Sequence, residues 1–98
     1  MAFKIIVSPR AQSEIEDAAE YYAALSANAS VNFIFSVENA YETLKTSPFF
    51  RKRYKNVRSL KLRKFPFALY FTVSETRKTV RVLSCFHSKQ NPNKRPFL

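Results

Sequence analysis

Not one of the 98 residues of this chain is glycine. Turns that need a positive φ normally place glycine there, so the reversals are expected to be longer loops built on type I turns and not tight two-residue ones. The same absence forbids a glycine-rich phosphate loop, and with it most nucleotide-binding chemistry of that kind.

Between the reversals, the apolar residues alternate. Leu60 and Leu62 are interleaved with Ser59, Lys61 and Arg63, and Phe67, Leu69, Phe71 and Val73 with Ala68, Tyr70 and Thr72. A period of two predicts strands with one buried face. The run from Val80 to Phe86 is apolar and β-branched enough for an inner strand. On this reading Lys61, Arg63 and Tyr70 point away from the core. Arg81 and His87 share a parity and are expected to join them on one open, cationic sheet face.

The first half of the chain reads as support for that sheet. Phe3 to Val7 is a short strand, stopped by Ser8-Pro9, which also opens a helix over about 9–26. Ile15, Ala18, Ala19, Tyr22 and Leu25 form its apolar stripe. Asn28 is a candidate cap for a second helix ending near residue 46, with Val31, Ile34, Val37, Tyr41 and Leu44 as its stripe, widened by Phe33 and Ala40. Residues 49–57 carry no period and read as an exposed basic and aromatic loop; 64–66 and 74–79 read as turns. The predicted fold class is α+β: a strand, an antiparallel helix hairpin, then three strands in a small, mostly antiparallel twisted sheet with the helices on one face. Residues 1–98 fit one domain, with 91–98 as an extended tail.

Charge is divided unevenly along the chain. Residues 1–42 hold two bases and six acids, whereas residues 43–98 hold fifteen bases and one acid, Glu75. The second half is therefore near +14, which points to a polyanion or an acidic protein surface as partner. Lys52, Arg53, Lys55, Arg58, Lys61, Tyr70 and Lys89 are the candidate contacts for a nucleic acid or other target. Cys85, the single cysteine, reads as a small buried apolar residue and suits a reducing compartment. No apolar run is long enough for a membrane span, and a cytoplasmic protein is expected.

The residue inventory narrows the chemistry. One histidine and one cysteine do not make a zinc site, no acidic residue stands near His87 to orient a triad, and the basic half lacks paired carboxylates. No metal or cofactor is expected. RNA cleavage by its own 2′-hydroxyl remains open, since it needs a base, an acid and cations around the phosphate. His87, Arg63 and Arg81 are the candidate catalytic residues for it. A strand-end histidine also serves as a satisfied structural residue, so both readings stand.

Several motifs resemble one family when taken in order: Ser8-Pro9-Arg10-Ala11 opening the first helix, Arg58-x-Leu60-x-Leu62, Phe65-Pro66-Phe67 with Phe71 and Val73, and Val82-Leu83-x-x-Phe86-His87-x-x-Gln90-Asn91-Pro92. The chain resembles, over nearly its whole length, the RelE/ParE superfamily of toxins from bacterial toxin-antitoxin (plasmid stabilisation) systems, and is closer to the ParE-like side. Gln90 stands where many ParE-like members carry an arginine. The resemblance implies a growth-arresting toxin neutralised by a cognate antitoxin. It implies either ribosome-dependent mRNA cleavage or non-enzymatic inhibition of DNA gyrase. A degenerate, non-toxic member acting as a basic nucleic-acid or protein binding module is the alternative.

Overall fold

The computed structural model describes residues 2–87, which form β1 (Lys4–Val7), α1 (Pro9–Leu25), α2 (Ala27–Thr46), β2 (Lys52–Tyr54), β3 (Val57–Lys61), β4 (Phe67–Ser74) and β5 (Thr79–His87). The strands make one sheet in the order β1-β5-β4-β3-β2. Every pairing is antiparallel except β1 with β5, which the helix hairpin makes parallel by carrying the chain back across the sheet. Lys89 and the 91–98 tail lie outside the described residues.

Ser8 caps α1, accepting from the Ala11 amide at 3.1 Å, and Pro9 fills the first helical position. Ser26, and not Asn28, separates the helices. Its amide donates to the Tyr22 carbonyl, closing α1, while its Oγ accepts from Ala29 at 3.0 Å, opening α2. One residue thus does both jobs, and the helices fold back so that Tyr22 packs on Phe33. The buried stripe of α2 is Phe33, Val37, Ala40 and Leu44; Val31 and, on α1, Leu25 are exposed. These stripes meet Leu62, Leu69, Phe71, Val80, Val82 and Cys85 in the main core.

Three expectations from the sequence are corrected. The 49–57 segment is not all loop, because Lys52–Tyr54 pairs with β3 as a fifth strand. Three residues between polar turns carry too few side chains for a period to register. The β2–β3 connection is a two-residue turn, Lys55-Asn56, despite the lack of glycine. Lys55, Lys64 and Lys78 take the left-handed backbone instead, with φ of 49°, 69° and 53°.

The third correction concerns β5. Tyr70 pairs with Ser84 but Phe71 with Val82, so Leu83 is an extra residue and the strand bulges there. A one-residue insertion reverses which side later residues face. Val80 and Val82 look toward the helices before the bulge, and Cys85 does so after it.

Candidate functional site

The bulge dissolves the expected grouping of His87 with Arg81. Arg81 pairs with Thr72 and stands on the face away from the helices. His87 pairs directly with Phe67, whose ring packs into the helix-side core, and the two rings lie 5.1 Å apart. Directly opposed residues share a face, so His87 is on the helix side. Six residues of strand put it on the order of 20 Å from Arg81 as well.

Arg63 is also displaced from its expected place. Strand β3 ends at Lys61, Leu62 is buried in the helix-side core, and Arg63 stands in the following turn. There its carbonyl accepts from Ser36 Oγ at 3.0 Å, and it lines clefts along α2 with Asn39. The three candidate catalytic residues therefore sit in three surroundings. Nothing on the sequence marked Leu83 as supernumerary, and every side assigned beyond it inherits that error.

The candidate contact residues divide between two sides of the sheet. Lys61, opposite Ala68, and Arg53, whose Nε donates to Ser59 Oγ at 3.1 Å, lie on the face away from the helices with Tyr70. Tyr70 is there as expected but only 6% exposed, packed with Val57, Ala68 and Phe86 in a second apolar cluster. Lys52 pairs with Arg58, which turns to the other side: its Nη1 donates to the Phe50 carbonyl at 2.7 Å, and its guanidinium covers the Phe49 ring at 5.3 Å. Lys55 lies over Tyr54 at 5.4 Å. Of the two loop phenylalanines, Phe50 packs edge-on to Phe71 in the core and Phe49 is 53% exposed.

Glu14 and Ser8, the latter read from the sequence only as the opening of the first helix, hold the bulge in place. Glu14 Oε1 accepts from Ser84 Oγ at 2.7 Å and from the Cys85 amide at 3.2 Å, and Ser8 Oγ donates to the Leu83 carbonyl at 3.0 Å. The backbone groups that a bulge takes out of the ladder are thus satisfied by the start of α1. Glu14 gave no signal, being one of several acids on a helix whose outer face is acidic. Burial, reinforced by Glu14, pushes the Cys85 thiol up to about 12, so it is no nucleophile at neutral pH. Burial also pushes the Tyr41 phenol up to about 12.

The model of the ParE toxin of type II toxin-antitoxin system, parDE, matches residues 5–92. The chain belongs to the ParE toxin family. This toxin is similar to a chain of the chromosomal ParDE toxin-antitoxin system from P. aeruginosa, at 16% identity and a TM-score of 0.77 over 90% of this chain and 98% of that one. It is similar to a chain of the toxin-antitoxin complex RelBE2 from Mycobacterium tuberculosis, at 15% identity and 0.63 over 89% and 99%. A mutant of the E. coli toxin RelE in the free state aligns at 17% identity and 0.60 over 91% and 86%. At such identities the likeness speaks for the fold. No curated protein matches the sequence. None of the described helices is long and apolar enough to cross a membrane.

Proposed function

We propose that this toxin arrests growth by binding its target and not by cutting RNA, that the target is DNA gyrase, and that a cognate antitoxin holds it inactive. The observation that carries this reading is the separation of His87 from Arg81, on opposite faces of the sheet. Cleavage through a 2′-hydroxyl needs its proton-transfer groups and its cations within hydrogen-bond reach of one phosphate. His87 is the only histidine of the chain, and its ring is engaged with Phe67. Binding asks only for complementary charge, and the exposed Arg53 and Lys61 on the open face, with Lys52 and Lys55 along the β2 edge and its turn, supply it.

The apolar anchors for an antitoxin belong on the helix side. A groove of about 810 Å³ runs between α2 and the edge strand β1, and Phe3, Ile5, Val7, Phe35 and Tyr41 line it. Phe35 is 58% exposed there, and Tyr21 is exposed on α1. Tyr22 and Phe50, by contrast, pack on the core and are not available as anchors.

Induction without antitoxin tests the mechanism. The expected result is growth arrest with accumulating DNA breaks and loss of gyrase supercoiling in vitro, equally for the wild type and His87→Ala. Rapid cutting of messages, abolished by His87→Ala in soluble protein, overturns the reading.

A further inference from the structure

The structure assigns a phosphate-binding site to the recess where the β2–β3 turn meets the β4–β5 turn, on the face away from the helices. Its ligand is a phosphate group, which we assign to a nucleic-acid backbone. The recess has a volume of about 380 Å³, within the range of pockets that hold a nucleotide-sized group.

Its polar lining is Arg77, Arg81, Thr72, Ser74, Thr79 and Asn56, with no carboxylate among the lining residues. Two guanidinium forks, three hydroxyls and an amide offer donors from three directions. That is the chemistry of phosphate recognition, and arginine is the side chain whose planar fork meets two phosphate oxygens at once. A metal would call for carboxylates, and none is among the lining residues; a neutral sugar would leave two guanidinium charges without an anion.

Strand register explains why the site forms. Ile6, Arg81 and Thr72 stand side by side on β1, β5 and β4, and Thr79 pairs with Ser74 one step toward the turn. Arg77 closes the recess from the turn, its amide held to Ser74 Oγ at 3.2 Å. Among the described residues neither guanidinium has a hydrogen-bond or ion-pair partner; the ion pairs there join Arg10 to Glu14 and Lys45 to Glu42. Within residues 2–87 both forks are uncommitted, unlike Arg58 and Arg53.

This site is separate from the choice between gyrase and RNA, and its test is read without toxicity. Binding of a fluorescent mixed-sequence oligonucleotide to the full chain is followed by anisotropy over a salt series, for the wild type, Arg81→Gln, Arg77→Gln and Lys45→Gln. Lys45→Gln removes the same charge from α2 and controls for net charge. Each arginine variant is expected to weaken binding about tenfold and to lower the slope of log affinity against log salt by about one, with Lys45→Gln nearly silent. In a second arm, thermal stabilisation by inorganic phosphate is measured on the same proteins. Stabilisation that depends on Arg81, with oligonucleotide affinity unchanged, keeps the phosphate chemistry and assigns the source to free phosphate. Equal losses for Arg81→Gln and Lys45→Gln, with no Arg81-dependent response to phosphate, overturn the site.

Discussion

Glu14 on the first helix accepts a 2.7 Å hydrogen bond from Ser84, seventy residues later in the chain, at the bulge of the last strand. The same carboxylate oxygen also takes the Cys85 amide. Glu14→Ala leaves a buried hydroxyl and an amide without their acceptor, and a loss of about 2 kcal/mol in urea unfolding is expected. Arg10, 3.7 Å from Glu14 and half exposed, contributes little, and Arg10→Ala is expected to stay within about 0.5 kcal/mol of wild type. A Glu14→Ala, Ser84→Ala cycle with no coupling would show that the contact does not fasten the helix to the strand.

Stability is expected to fall in alkali. Cys85 is raised from 9.0 to about 12 and Tyr41 from 10.0 to about 12, both first by burial. Each folded pKa lies above the unfolded one, so the contribution is complete below pH 9 and is lost as pH climbs toward 12. Thermal melts through that window should decline, and Cys85→Ser should flatten the decline. Tyr41→Phe should flatten it too without cost at neutral pH, because the buried Tyr41 Oη has no hydrogen-bond partner among the described residues.

The left-handed lysines are expected to be improvable. Replacing a non-glycine residue at positive φ by glycine relieves backbone strain at the expense of unfolded-state entropy, a net gain of about 0.5 kcal/mol. Lys64→Gly should gain most. Lys55→Gly and Lys78→Gly should gain less, because Lys55 covers the Tyr54 ring and Lys78 the Phe3 ring at 5.3 Å. Melting temperatures in the reverse order would mean that these turns carry no strain worth relieving.

Antitoxin capture is expected to be steered by charge. Lys52→Glu, Lys55→Glu and Lys61→Glu should slow association and reduce its salt dependence while leaving dissociation nearly unchanged. Phe35→Ala should do the opposite, raising the dissociation rate. Arg58→Glu is a poor probe of steering, because it breaks the bond to the Phe50 carbonyl and should lower stability. Association that is equally fast at low and high salt would remove the basic face from the landing site.

The architecture was legible in the sequence wherever a pattern ran long enough. Both helices, the turns at 64–66 and 74–79, and the three long strands came from periodicity and from Ser8-Pro9. The family came from motif order. The site was less legible for a specific reason: alternation assigns faces only while the ladder stays regular. Arg81, before the bulge, was placed correctly on the open face, and His87, beyond it, was not. Arg63 failed differently, because Leu62 continues the buried alternation past the end of β3 and makes a turn residue look like a strand residue. Arg77 and Asn56 lie in turns, where spacing says nothing about what the fold brings together.

Leu83 acts as a phase inverter in the last strand. Deleting it would return β5 to strict alternation with Cys85 and His87 still opposite Leu69 and Phe67, whereas taking it into the ladder as an ordinary paired residue would send both to the other side. Within this architecture, then, the side on which the histidine lies is set by whether Leu83 is looped out or paired, something no substitution at position 87 can do. The grip of Glu14 and Ser8 on the bulge is what keeps Leu83 out of the ladder.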